Sequence, residues 1–278
     1  MTKMLKQALK GVLDDAEINE LYSSYDIIGD IAIIKIPDSM HAKKQLIGEA
    51  ILNNVKPVKS VFMQSSPVQG DFRVRDVECI AGENRTVTIY KEHNCRFKLD
   101  VNKVYFSPRL STERKRIASM VSDGEVIVNM FAGICTFSVI IAKKCKCRIY
   151  SIDVNPDAYS LCVENVKLNK VTESVVPMLG DSKDIIAKEL KGKADRILMP
   201  LPERAKEYLE YAVMALKENG IIHYFTHVHS DSRKYALNAC AEELAGVMKV
   251  RYELKGARVV REVGPRFYQV VADVMVFK

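Results

Sequence analysis

One stretch near the middle constrains this chain more than any other. An apolar run, Val126-Ile127-Val128, leads to a glycine turn at Ala132-Gly133. A helix-like apolar segment follows over residues 137–142, then a second apolar run over 148–152 that ends on Asp153. Buried strand, tight turn, helix and buried strand make a βαβ unit, whose two strands run parallel. Such a unit binds a nucleoside above the carboxyl ends of its strands, where an acid holds the ribose hydroxyls.

The turn itself narrows the ligand. A dinucleotide site needs G-x-G-x-x-G so that backbone can approach a pyrophosphate. Here the loop reads Phe131-Ala132-Gly133-Ile134-Cys135-Thr136-Phe137, with one glycine and no phosphate nest. An adenosine ligand without phosphates, S-adenosylmethionine, fits it better than a nicotinamide dinucleotide does.

The flanking sequence extends the pattern. After Asp153, helices are expected over 156–168, 182–190, 203–217 and 230–245. They alternate with strands over 174–179, 194–199 and 220–226. A terminal antiparallel pair is expected over 247–254 and 267–277, joined by a basic loop at 256–266 that carries Arg258, Arg261 and Arg266. These elements make a seven-stranded, mostly parallel, Rossmann-like α/β sheet over 109–278. Residues 1–108 read as a smaller N-terminal α+β domain: a helix restarting at Asp14-Asp15, a hairpin around Gly29-Asp30, a helix over about 40–53 and four short strands. Within it Arg73 and Arg75, at i and i+2 beside Phe72, share one side of a strand, and arginine forks suit phosphates and guanine edges.

Strand ends supply the candidate site. Phe131 and Gly133 follow the first strand, Asp153 and Val154 the second, Asp181 and Ser182 the third, and Pro200-Leu201-Pro202 the fourth. Asp153 can accept both ribose hydroxyls, since each carboxylate oxygen has two lone pairs. Asp181 can accept from the adenine amino group with the Ser182 N–H nearby as donor, and it can equally cap a helix. Just upstream, Ser111 or Thr112 is placed to cap a helix whose first turn holds Glu113 and Arg114. On pattern alone Glu113 is an acid facing the helix dipole.

Composition bounds the rest. The chain has 278 residues, 28% of them charged, with a formal net charge of +7. That balance permits an acidic partner without requiring one. No apolar run approaches the roughly 18 residues of a membrane span. The first residues lack a secretory apolar stretch, so a cytoplasmic protein is expected. The seven cysteines form no C-x-x-C pair and are read as buried reduced thiols. His223, His227 and His229 are expected near a strand end, and no metal is expected.

With these residues in place, the chain resembles the archaeal and eukaryotic tRNA (guanine-37 N1)-methyltransferases. Pro108-Arg109-Leu110-Ser111-Thr112-Glu113-Arg114 and Asn129-Met130-Phe131-Ala132-Gly133-Ile134 carry the likeness. Ile152-Asp153-Val154-Asn155-Pro156, Asn165 to Lys170 and Gly220-Ile221-Ile222-His223-Tyr224 extend it over about 55–278. The resemblance implies Glu113 as general base and Arg73 as the group steadying guanine O6. It implies Arg114 at the methionine carboxylate of the cofactor, Tyr105 and Pro200 in the cofactor pocket, and Arg75, Arg109, Arg261 and Arg266 on tRNA. A monomer acting on an anticodon-loop guanosine is the expected partnership. Two departures stand out: Asn129 replaces an acid and Cys135 a glycine, while the family's Asn-Leu-Pro is here Pro200-Leu201-Pro202. Within the same fold, aminocarboxypropyl transfer or methylation of a tricyclic guanosine derivative is the rival chemistry. A non-catalytic RNA-binding protein would need neither Asp153 nor Glu113.

Overall fold

The computed structural model describes residues 7, 9–21, 25–65 and 76–278. Arg73 and Arg75 lie outside the described residues. The chain divides into two compact units, Met1–Pro108 and Arg109–Lys278.

In the first unit α1 (Asp15–Glu20) starts at Asp14, whose carboxylate accepts from the Glu17 N–H while Glu17 returns the bond to the Asp14 N–H. This capping box satisfies two donors that a helix start leaves orphaned. Strands β1 (Tyr25–Ile28) and β2 (Ile31–Ile34) form the expected hairpin. Its turn holds Gly29 at φ +62°, and a Cβ there would sit 2.3 Å from Thr88 Oγ1. Helix α2 (Lys44–Asn54) carries the chain across to β3 (Ser60–Gln64), which lies parallel to β2 and antiparallel to β4 (Val77–Gly82). Ile47, Ala50 and Ile51 of the helix pack with Ile34, Val61 and Ile80 of the sheet. A separate hairpin follows, β5 (Val87–Glu92) with β6 (Cys95–Asp100).

The second unit opens with α3 (Ser111–Met120). Leu110, not Ser111 or Thr112, occupies its cap position, and no side-chain cap bond forms there. Then come β7 (Val126–Asn129), α4 (Thr136–Ala142), β8 (Arg148–Asp153), α5 (Pro156–Leu168), β9 (Val175–Leu179), α6 (Ser182–Ile185), β10 (Ala194–Met199), α7 (Ala205–Ala215), β11 (Leu216–His229), α8 (Arg233–Val247), β12 (Arg251–Gly264) and β13 (Phe267–Phe277). The sheet order is β12-β13-β11-β10-β7-β8-β9, with β7 to β11 parallel and β13 antiparallel to both of its neighbours. This is the expected seven-stranded architecture. Val128, Ile152, Ile197, Met199, Ile222 and Tyr224 are wholly buried, which accounts for the near-continuous apolar runs of the parallel strands.

Two expectations give way. Residues 256–266 are not a loop: β12 runs on to Gly264, paired with β13 along its length. Register shifts between Leu254 and Gly256, Val259 and Arg261, and Glu262 and Gly264 break the two-residue alternation by which a strand is read. As an edge strand it also tolerates the charges that suggested a loop. Second, Cys135 and Cys162 are not reduced thiols but a disulfide, with Cα atoms 5.1 Å apart. It ties the start of α4 to α5. Cys135 sits at φ +67°, the left-handed conformation that glycine adopts freely, in the place of a family glycine.

Candidate active site

The sheet reverses direction of growth between β7 and β10, and ligands bind in such a crevice above the carboxyl ends of the strands. Around it stand Phe131 and Gly133 after β7, Asp153 and Val154 at the end of β8, Asp181 after β9 and Pro200 after β10. Backbone bonds brace this rim: Met130 N–H to the Leu198 carbonyl at 3.0 Å, Ala132 N–H to Ile152 at 2.8 Å, and Gly180 N–H to Asp153 at 3.0 Å.

Asp153 is the best-defined group there. Its Oδ2 accepts from the Gly133 N–H at 2.6 Å and its Oδ1 from the Asn155 N–H at 3.0 Å. The carboxylate therefore sets the turn, and each oxygen keeps a further lone pair for a hydroxyl donor. Burial pushes this carboxyl above its ordinary value, opposed by the N–H groups of Asn155, Gly133 and Val154. Donors from a bound diol would offset that cost. Beside it Val154 and Leu179 are 46% and 49% exposed, two large apolar side chains left uncovered where an adenine ring needs walls.

Asp181 does cap α6, with Oδ1 accepting from the Lys183 N–H at 3.0 Å. Its Oδ2 accepts from the Tyr208 hydroxyl at 2.9 Å. Tyr208, absent from the sequence reading, meets Phe131 edge to face at 5.1 Å, so Phe131, Tyr208 and Asp181 form one patch. Burial and the neighbouring Asp181 push the Tyr208 hydroxyl up to about 12. Ser182 is buried next to this cap.

Glu113 lies in the first turn of α3, which packs along α4, the helix leaving the Gly133 loop. Only 2% exposed, it is an unusual place for a carboxylate. Arg116 holds Oε1, donating from Nε at 2.8 Å. Oε2 is buried and has no hydrogen-bond partner among the described residues, with Arg258 Nε on β12 3.5 Å away. Arg114 is equally buried on the same turn.

Behind Glu113 runs a chain of charged groups that the sequence did not announce. Arg116 donates to both oxygens of Asp273, at 2.6 and 2.9 Å. Asp273 Oδ1 lies 2.6 Å from His223 Nδ1, and His223 Nε2 lies 2.9 Å from Arg196 Nη1. A guanidinium cannot accept, so Nε2 is the acceptor and the imidazole is neutral with its proton on Nδ1, donated to Asp273. Arg196 then forks onto Glu125 at 2.6 and 3.0 Å. The only hints were an acid in the apolar run of β13 and an arginine in that of β10.

The remaining candidates are dispersed. Arg109 is exposed, and Tyr105, half-buried, belongs to the first unit. Arg261 donates to Gln269 at 2.7 Å, and exposed Arg266 meets Asp231 at 3.1 Å. Register places Arg258 opposite Val271 and Arg261 opposite Gln269, the sheet face that also carries Asp273. Asn129 is wholly buried and donates to Ser138 at 3.1 Å, so it supports the loop from behind. His223 is mid-strand, not at a strand end.

Strand order, the acid at the end of β8 and the uncovered apolar rim define a class I methyltransferase fold with a nucleoside site. The family follows from comparison. Residues 88–249 match the TRM5/TYW2 methyltransferase domain, and residues 5–86 match the TYW2 N-terminal domain. The chain belongs to the TRM5/TYW2 methyltransferase family. It is 45% identical to tRNA (guanine(37)-N(1))-methyltransferase Trm5b of Pyrococcus abyssi, over 91% of this chain and 74% of that one. It is 38% identical to tRNA 4-demethylwyosine(37)-methyltransferase Taw21 of Saccharolobus solfataricus, over 97% of this chain and 99% of that one. Among solved structures, the complex of aTrm5 with tRNALeu superimposes with a TM-score of 0.87 at 35% identity, covering 100% of this chain and 79% of that one. TYW2 of M. jannaschii with AdoMet gives a TM-score of 0.67 at 29% identity, covering 92% of this chain and 100% of that one. No helix among the described residues is long and apolar enough to cross a membrane.

Proposed function

We propose that this chain transfers a methyl group from S-adenosylmethionine to N1 of guanosine 37 of tRNA, acting in the cytoplasm as a monomer. The observation that carries the reading is Glu113: a buried carboxylate with one oxygen held by Arg116 and the other without a hydrogen-bond partner, in a domain built to hold an adenosine. Trm5b of P. abyssi and the tRNA-bound aTrm5 structure support the substrate.

Guanine N1 keeps its proton at neutral pH, so it cannot attack an electrophile until a base removes that proton. Glu113 Oε2 takes it. A guanidinium near guanine O6 steadies the charge that builds on the base as the proton leaves, and the resemblance gives this work to Arg73. When bound, S-adenosylmethionine supplies a methyl group on a positively charged sulfur. Asp153 would hold its ribose hydroxyls, Asp181 and the Ser182 N–H its adenine edge. Phe131 and Val154 would wall the ring, and Gly133 allows close backbone approach. Pro200 would close the pocket, and Arg114 would meet the methionine carboxylate. All of these groups come from one chain.

Asp153→Ala is expected to weaken S-adenosylmethionine binding by about 1–3 kcal/mol, the cost of losing charge-assisted hydrogen bonds. Isothermal calorimetry measures it, and native affinity in the variant would mean the ribose is held elsewhere.

Affinity for tRNA is expected to fall with salt, by roughly 0.7 log units per log unit of salt for each phosphate contact to single-stranded RNA. Arg109, Arg261 and Arg266 are the proposed contacts. Replacing Arg261 and Arg266 by glutamine should flatten the slope, measured by filter binding between low and physiological salt. A slope untouched by both changes would move the RNA surface away from β12.

A second reading rests on Pro200. The family's asparagine at this position offers a side-chain amide to cofactor or target base, and proline offers none. With the identity to Taw21 over nearly the whole of both chains, this favours 4-demethylwyosine at the same tRNA position as a further substrate. Nucleoside mass spectrometry separates the two. Methyl gain on tRNA with unmodified guanosine 37 supports the first reading, and gain only on tRNA carrying the tricyclic base supports the second.

A further inference from the structure

The charged chain behind Glu113 is built at the cost of burying four ionisable groups and largely covering two more. Side chains of Glu113, Arg116, Asp273, Arg196 and Glu125 are 2, 19, 11, 3 and 16% exposed, and that of His223 is 0%. Signs alternate along it: carboxylate, guanidinium, carboxylate, neutral imidazole, guanidinium, carboxylate. Exposed arginines supply charge without such a structure. A chain of fixed forks supplies position.

We infer that Arg116 is the positioning residue of the proposed base, clamped from behind by Asp273, His223 and Arg196 so that Glu113 presents Oε2 alone. This rests on the reading of Glu113 as the group that removes the N1 proton. The geometry explains three things at once. Arg116 bridges Glu113 and Asp273, so its guanidinium plane is fixed at both ends. Asp273 is fixed in turn by His223 across the β11–β13 pairing, where the two residues stand opposite one another. His223 is held by Arg196, which is locked to Glu125 and to the Met120 carbonyl at the end of α3 itself, at 2.9 Å. The chain thus closes on the helix that carries Glu113. A carboxylate so held has Oε1 fixed by Arg116, which leaves the buried Oε2 as the oxygen without a hydrogen-bond partner.

The charged and titratable groups around Glu113 come from its own helix and from β11, β12 and β13. Arg114 and Arg116 share its helix, Arg258 faces it from β12, Asp273 from β13, and His223 stands behind on β11. Helix α4, packed against α3, contributes no ionisable side chain. Arg116 is therefore the cation that touches Glu113 by hydrogen bond, while Arg258 stands off at 3.5 Å.

The test is the pH profile of single-turnover methyl transfer to tRNA, with cofactor affinity measured by calorimetry alongside. In Arg116→Met the buried carboxylate loses its hydrogen-bonded cation, and burial then favours the protonated form. The acid limb is expected to move up by about one pH unit or more, with activity recovering toward alkaline pH and cofactor affinity native. Arg116→Lys keeps the charge but not the planar fork. Its acid limb should stay near that of the parent while the rate falls about 10- to 100-fold through misplacement. A folded Arg116→Met with the parental profile, its loss following only the folded fraction, overturns the inference. If that variant does not fold, a parental rate in Arg116→Lys overturns it. Glu113→Gln in the same assay keeps the two claims apart: full turnover there removes the base itself. An inactive Glu113→Gln beside an unshifted Arg116→Met removes only the positioning.

Discussion

Glu113→Gln is expected to cut single-turnover methyl transfer by about 10²–10⁴-fold, the usual worth of a positioned general base. Glutamine keeps the size of the side chain and an acceptor for Arg116, so the fold and the affinity for S-adenosylmethionine should hold. What it lacks is basicity at the open oxygen. Raising the pH should then restore part of the rate, because guanine N1 begins to lose its proton unaided. A purely structural Glu113 gives another pattern. Removing its charge would leave Arg116 facing Asp273 alone and lower stability, yet the folded fraction would methylate at nearly the parental rate and show no alkaline rescue. Rapid-quench measurement at several pH values, normalised to the folded fraction, distinguishes the two. Full activity in Glu113→Gln would sink the mechanism and leave the fold and cofactor site standing.

The parts of this protein that were legible in sequence are those in which one residue type does one local job. Strand β8 reads as apolar residues ended by Asp153, and the structure sets that acid where the pattern put it, with the Gly133 N–H on its carboxylate. The hairpin at Gly29-Asp30 and the start of α1 at Asp14 are equally local. Non-local partnerships were not legible. Tyr208 sits in the middle of an amphipathic helix, where an aromatic residue ordinarily means core packing. Only the fold brings it to Asp181, 27 residues away. Arg116 and Asp273 are 157 residues apart, and nothing in either neighbourhood names the other. Residues 256–264 of the edge strand β12 read as a loop because register shifts erase the alternation there. Cys135 and Cys162 read as thiols because no spacing rule pairs a cysteine at the cap of α4 with one inside α5. Glu113 was recognised through its surroundings in Arg-Leu-Ser-Thr-Glu-Arg. Its burial, which gives the recognition a physical basis, came from the structure.

Asp273→Ala is expected to lower stability by about 3–5 kcal/mol near neutral pH, the penalty for leaving buried partners without their counter-charge. Arg116 would lose its fork, and His223 would lose the acceptor of its Nδ1 proton. The same cluster sets how stability responds to acid. The imidazole of His223 is held below its ordinary 6.5, because burial resists the charged form. Below about pH 6.5 the unfolded chain therefore binds a proton that the folded chain refuses, and stability falls by about 1.4 kcal/mol per pH unit. Asp273 shifts the same way for a different reason: burial alone would raise its carboxyl, but the hydrogen bonds and charges of His223 and Arg116 hold it well below its ordinary 3.8. Its contribution is present in full above pH 3.8 and is lost as pH falls from there through the depressed folded value. The gap between parent and Asp273→Ala should accordingly be widest near pH 7 and begin to shrink below about pH 4. Urea denaturation at pH 7, 5 and 3 measures it. A gap of under about 1 kcal/mol at pH 7, the range of an exposed ion pair, would mean that the buried chain carries no stability. A gap independent of pH would mean that the carboxylate of Asp273 is not the group that carries it.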